Sequence, residues 1–176
     1  MSEYRKTSAD DLYFVTLTIV GWVNLFDREI YKQIIIDNLK HCQEKEQLEI
    51  FAYVVMSNHI HLVCRRMDKD LNELLGRFKS FTSKQFTKEI TQTPQESRKA
   101  WLLKLFEDYA KQNKQYAHFQ IWQYTSHPVY LFSQEFINQK INYIHQNPVR
   151  AGYVLETEHY KYSSASLDSP LKVLEI

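Results

Sequence analysis

The chain has 176 residues, 44% hydrophobic and 14% aromatic, enough to bury one globular core and too apolar for a disordered polymer. Its 22 basic and 21 acidic side chains leave a formal charge of +1, so any nucleic-acid footprint is a local patch and not a property of the whole surface. Two cysteines without CxxC spacing, no basic-then-apolar leader pattern and no apolar run of spanning length point to a soluble, cytoplasmic protein without a membrane partner.

Leu12 to Val20 is dense in β-branched and aromatic residues and predicts a central strand. Asp27 is placed to cap a helix over about 28–46, where Ile30, Ile34, Ile35, Leu39 and Cys42 recur at helical spacing. Leu48 to Met56 predicts a second strand, Ser57-Asn58 a tight turn, and His59 to Arg65 a third strand folding back on the second. The order so far is βαββ. A second helix is expected over about 71–90, with Leu71, Leu74, Leu75, Phe78, Phe81 and Thr82 on its packed side, ended by Thr91-Gln92-Thr93-Pro94. A third, over about 95–112, carries Trp101, Leu102, Leu105, Phe106 and Tyr109 as its apolar set. Residues 116–124, with Phe119, Ile121 and Trp122, read as a strand or an irregular segment. Ser133 is placed to cap a last helix running to about Gln146 on Phe136, Ile137, Ile141 and Ile144, and Pro148 stops it by disfavouring helical geometry at Asn147. The tail around Tyr160-Lys161-Tyr162-Ser163-Ser164 reads as ordered without a regular assignment. No repeat or linker divides the chain, which reads as a single domain over 1–176.

Two constellations carry chemistry. In His59-Ile60-His61 the strand period of two projects both imidazoles from one face and turns Ile60 into the other. Taken alone, the pair suits a metal site and a hydrogen-bonded structural pair equally. The second constellation is Tyr143-Ile144-His145-Gln146-Asn147-Pro148-Val149-Arg150-Ala151-Gly152. At about 100° per residue, Tyr143 and Asn147 lie roughly 40° apart on one helix face, shared with Lys140 and Phe136. Elsewhere, Arg77, Lys84 and Lys88 project together beside the apolar face of the second helix, which suits a phosphate backbone or an ordinary solvated face. Arg65-Arg66 follows the histidine strand. Trp122 and Tyr124 suit base stacking or the core, and His127 an active-site role or a loop hydrogen bond.

The segment Val54-Val55-Met56-Ser57-Asn58-His59-Ile60-His61-Leu62-Val63 resembles the histidine-hydrophobic-histidine motif of the single-tyrosine HUH transposases. The segment from Tyr143 to Gly152 resembles the nucleophile motif of their REP-associated branch. The likeness spans most of the chain, taking in the early strand, Phe78-Lys79-Ser80-Phe81-Thr82, Trp122-Gln123 and Tyr160 to Ser164. It implies an α+β, ferredoxin-like or RRM-like sandwich: an antiparallel sheet with helices packed on one face, plus a C-terminal extension. It further implies that His59, His61 and Asn147 hold a divalent ion, Mg²⁺ or Mn²⁺, and that Tyr143 is the attacking phenol. Lys140 and Arg150 then face the reacting phosphate, and Arg65, Arg77, Lys84 and Lys88 are further DNA-binding candidates.

The activity so implied is transposition chemistry: cleavage and rejoining of single-stranded or hairpin DNA through a 5′-phosphotyrosine, with the phosphodiester energy retained and no ATP needed. Tyrosine phenols ordinarily ionise near about pH 10, which is why a metal acting as a Lewis acid on the scissile phosphate belongs to this chemistry. Two departures stand out. Many relatives have a tyrosine where this chain has Phe81; its spacing from Leu74 and Phe78 puts Phe81 on the packed face, which leaves Tyr143 as the nucleophile. Asn147 stands where insertion-sequence relatives tend to place a glutamine, a longer arm. A DNA partner implies a nucleoid-associated location. A homodimer supplying the tyrosine across its interface is as open as a chain supplying it in cis. Two further readings are a domesticated, non-catalytic, sequence-specific DNA-binding protein on the same fold, and a phosphodiesterase or zinc hydrolase built on the histidine pair.

Overall fold

A computed structural model describes residues 7–8, 10–113, 115, 118–126 and 128–176. His127 and Tyr116 lie outside the described residues. The elements are β1 (Tyr13–Thr18), α1 (Glu29–Lys45), β2 (Leu48–Val55), β3 (His59–Arg66), α2 (Leu71–Gln92), α3 (Lys99–Lys111), β4 (Val129–Tyr130) and α4 (Gln134–Arg150). The sheet order is β2-β3-β1-β4, every pair antiparallel. With α3 inserted and α4 appended, this is the ferredoxin-like α+β arrangement that the resemblance implied.

Residues 60–64 of β3 are buried without alternation, so both faces of the sheet are covered. His61 pairs with Thr16 on β1 and Val54 on β2, and His59 with Thr18, so these side chains share a face. Helix α4 lies against β2 and β3 on that face. The Ile60 and Leu62 face is left for α1 and α2, which pack on each other. The C-terminal extension is therefore the second covering layer, and it brings its own side chains onto the histidines.

Several local expectations are corrected. Phe81 is 57% exposed. Its neighbours Phe78, Thr82, Phe86 and Ile90 follow at four-residue steps, each turning the buried stripe by about 40° away from position 81. Arg28, not Asp27, is the N-cap of α1, and Ile30 and Trp101 are exposed. Helix α3 begins only at Lys99 because 93–98 form turns around a buried Glu96. Strand β4 is two residues long and exposed, too short to show a period.

The Ser133 cap is present, its Oγ accepting from the Phe136 N–H at 3.2 Å, but Pro148 does not stop α4, which runs on to Arg150. A proline this near the end forfeits only one late backbone bond. The stop is set instead by Gly152 at φ +74, with Tyr153 N–H on the Pro148 carbonyl at 2.9 Å and Gly152 N–H on the Val149 carbonyl at 3.0 Å, a Schellman arrangement. The tail pairs along β2: Val55 N–H reaches the Tyr162 carbonyl at 2.9 Å, Ser164 N–H the Tyr53 carbonyl at 3.0 Å and Leu174 N–H the Ile50 carbonyl at 2.9 Å. It covers what would otherwise be an open sheet edge.

Buried Glu96 ties the start of α1 to the start of α3 and steadies the site loop. Arg28 and Arg98 each reach it at 3.1 Å, the Tyr31 hydroxyl donates to it at 2.8 Å, and Arg98 also donates to the Asn24 carbonyl at 2.9 Å. Burial alone would raise this carboxyl, but the bonds from Arg98, Tyr31 and Arg28 outweigh it and hold it at about 2. With the folded value below the ordinary 4.5, the unfolded chain binds the extra proton. The stabilisation is therefore complete above about pH 5 and lost as pH falls toward 2, on the order of 3 kcal/mol. Urea unfolding of Glu96→Gln across pH 2 to 6 is expected to show a flatter acid limb than the unsubstituted protein; equal slopes would contradict the assignment.

Candidate active site

The two imidazoles stand side by side on β3, ring centroids 4.7 Å apart and planes inclined at 69°. His59 Nδ1 meets Asn58 Oδ1 at 2.7 Å. The other end of that carboxamide donates to the Trp22 carbonyl at 3.1 Å and to Asn24 Oδ1 at 2.9 Å. A carbonyl only accepts, so it fixes which way the amide points; Oδ1 then faces His59, whose Nδ1 must donate, and Nε2 keeps a bare lone pair. His61 Nδ1 pairs with the Thr16 hydroxyl at 2.9 Å, and its ring stacks on Phe14 at 5.2 Å. Neither Nε2 has a hydrogen-bond partner among the described residues.

Burial pushes the His59 imidazole below its usual range. Burial, then the neighbouring His59 and Lys140, bring His61 down to about 3. Both rings are neutral at neutral pH, the form in which imidazole binds metal. Among the described residues no group of three His, Cys, Asp or Glu side chains is placed to hold an ion, and an amide oxygen is a further donor type that suits such an ion. Asn147 is such a group: half-buried, one turn beyond Tyr143, its side chain without a hydrogen bond among the described residues. Two neutral imidazoles side by side, with a carboxamide on the helix that carries Tyr143, are donor types that suit a divalent ion completing its shell with water and phosphate.

Tyr143 comes from α4 of the same chain, partly exposed, its ring 5.3 Å from that of His61 and edge-on to Phe14 at 5.9 Å. Lys140 Nζ lies 5.9 Å and Arg150 Cζ 5.7 Å from the Tyr143 ring centroid. Lys140 also sits over Phe14 at 4.8 Å and Phe136 at 5.2 Å. The shared face expected of Phe136, Lys140 and Tyr143 is therefore present, and it is turned onto the histidines.

The remaining basic candidates divide by their partners. Arg65 is paired with Glu49 at 2.5 Å, Arg77 with Glu73 at 2.5 Å and Glu46 at 2.6 Å, and buried Arg66 with Glu46 at 3.0 Å and Glu73 at 3.4 Å. Each of these three is engaged in ion pairs, and the Arg65 and Arg77 side chains stay partly exposed. Exposed Lys84 and Lys88 instead line a groove of about 910 Å³ between α2 and residues 115, 118, 119, 122, 124 and 126, with no Asp or Glu among its described lining residues. Lys79, at the same wall, donates to the Tyr124 carbonyl at 2.8 Å and the Gln123 carbonyl at 3.3 Å, and burial pulls its ammonium down to about 8. Tyr124 and Trp122 both line this groove, and Trp122 does so from the core, its indole N–H on Thr82 Oγ at 2.9 Å.

Sequence reasoning missed Asn58, Thr16 and His145. Asn58 abuts the histidines in the turn and Thr16 alternates with Phe14 and Thr18 on β1, so both were within reach of the strand period. His145, whose Nε2 pairs with Ser164 Oγ at 2.9 Å and ties α4 to the tail, carried no local signal.

Residues 19–114, more than half of the chain and the part holding both histidines, match the family described as "Transposase IS200 like". Tyr143 lies beyond that span. The chain is 27% identical over 177 residues to a Haemophilus influenzae protein assigned as a REP-associated tyrosine transposase, covering 96% of this chain and 88% of that one. Its fold is similar to that of a REP-associated tyrosine transposase solved bound to a REP hairpin, with a TM-score of 0.63, 21% identity and coverage of 93% of this chain and 82% of the other. The chain belongs to the IS200-like transposase family.

Proposed function

We propose that this transposase is a metal-dependent, single-tyrosine DNA strand transferase that cleaves and rejoins single-stranded or hairpin DNA, with Tyr143 acting in cis. The observation that carries the reading is the 5.3 Å approach of the Tyr143 ring to His61 within one chain. The name of the solved relative, bound to a REP hairpin, supports hairpin DNA as the substrate.

The Tyr143 oxygen attacks the scissile phosphorus and yields its proton to solvent at the open side of the ring. The bond to the 3′ oxygen breaks, that oxygen leaves with the electron pair and is protonated, and a 5′-phosphotyrosine remains. Attack by a 3′-hydroxyl on the phosphotyrosine reverses the sequence and joins strands. Lys140 and Arg150 flank the phenol and meet the negative charge that gathers on the phosphate. A divalent ion, Mg²⁺ or Mn²⁺, held by His59, His61 and Asn147 would supply Lewis-acid polarisation of that phosphate. Lys84 and Lys88, free of carboxylates in their groove, contact the DNA backbone. Replacing both by alanine is expected to reduce the slope of log affinity against log salt by about 1.5, while Arg77→Ala, already neutralised by two glutamates, leaves it unchanged.

The test is a labelled hairpin oligonucleotide incubated with the protein and Mn²⁺. A protein–DNA species that survives a denaturing gel is expected. Hairpin binding without that species would make this a non-catalytic DNA-binding protein, and cleavage without a trapped linkage a hydrolase.

A further inference from the structure

Trp22 is held in a conformation that its side chain does not favour. It lies at φ +54 beside Gly21 at φ +64, in left-handed backbone that glycine enters freely and a bulky residue enters only under strain. The ring gains little by burial, being 61% exposed. The backbone is nevertheless fixed. The Trp22 carbonyl accepts from Asn58 at 3.1 Å, its N–H donates to the Ile19 carbonyl at 3.2 Å, and the Tyr109 hydroxyl closes over Gly21. Glycine at position 22 would satisfy the same backbone and keep the same carbonyl. The indole is the part that the fold does not use.

Its location supplies the use. The indole stands edge-on to His59 with ring centroids 6.1 Å apart. The other side of its loop is bonded to the segment walling the lysine groove, through Val20 N–H on the Ile121 carbonyl at 2.9 Å and the Ile19–Trp122 bridge. The loop carrying the indole is thus bonded to the groove wall on one side and meets His59 on the other, and the exposed indole offers a rigid aromatic face on which an unpaired base stacks.

We propose that Trp22 is the stacking platform for a base next to the scissile phosphate, positioning the single strand against His59 and His61. The proposal rests on the reading above for where that phosphate lies. A base–aromatic stack is worth roughly 5- to 150-fold in affinity. The test uses Tyr143→Phe protein without metal, so that binding is read apart from chemistry. The probe is a fluorescent hairpin with single-stranded flanks, selected from a randomised pool for retention by the unsubstituted protein. Trp22→Gly is expected to weaken binding by that factor with an equal or higher Tm, because the strain is relieved. Trp22→Phe should retain most of the affinity. An abasic site scanned along the flank should, at one position, erase the difference between Trp and Gly. A Gly variant that binds as tightly as the parent, or whose defect is identical on every abasic probe, would overturn the proposal. An abasic-specific loss in a protein whose unsubstituted form yields no covalent adduct would leave the platform standing and remove the transferase reading. Absence of affinity for any such oligonucleotide would remove both.

Discussion

Tyr143→Phe is expected to abolish the covalent protein–DNA adduct, by at least about 10³-fold, the scale of loss when a covalent nucleophile is removed, with hairpin affinity almost unchanged. The substitution deletes one oxygen. The ring that meets His61 and Phe14, and over which Lys140 and Arg150 sit, remains in place, so loss of the adduct is not a consequence of lost packing. An undiminished adduct would assign the attack to another hydroxyl. The same variant decides whether the tyrosine acts in cis. Because Tyr143 and His61 already approach within one chain, mixing Tyr143→Phe with His61→Ala should restore no adduct; recovery on mixing would show that an intact site is assembled across two chains.

What the sequence made legible follows periodicity and local caps. The strand period put His59 and His61 on one face, and helical spacing put Phe136, Lys140 and Tyr143 on another; the fold turns these two faces toward each other. Ser133 was readable because a cap acts three residues away. What stayed hidden depended on partners distant in the chain. The ion pairs of Arg65 and Arg77 are formed with Glu49 and Glu46, which arrive from neighbouring elements; only Glu73, one turn before Arg77, was visible locally. Phe81 was misplaced because its spacing from two earlier residues was extrapolated along a stripe that rotates as the helix lengthens. Pro148 was overweighted because the helix end depends on Gly152 beyond it. The orientation of His59 required both a turn amide and the carbonyl of Trp22, a contact that no residue spacing announces.

Mn²⁺ is expected to tighten hairpin binding by the Tyr143→Phe protein, and His61→Ala to remove that effect. The proposed donor set of His59, His61 and Asn147 contains no carboxylate, so a dication held by it would keep nearly its full charge until a phosphate shares it. Ion and DNA should therefore each raise the other's affinity by the same factor, as linkage requires. Protons do not oppose this near neutral pH, because burial, His59 and Lys140 keep His61 down at about 3. Asn58→Ala tests the layer behind the proposed ligands. It leaves both imidazoles but removes the acceptor that holds His59 Nδ1 protonated, and loss of such a partner costs about 10- to 100-fold in metal affinity. The Mn²⁺ concentration giving half-maximal tightening should rise by that factor while metal-free DNA affinity stays constant. If Mn²⁺ leaves DNA affinity unchanged in the Tyr143→Phe protein, the imidazole pair is a structural feature of β3 and the phenol must be activated without an ion.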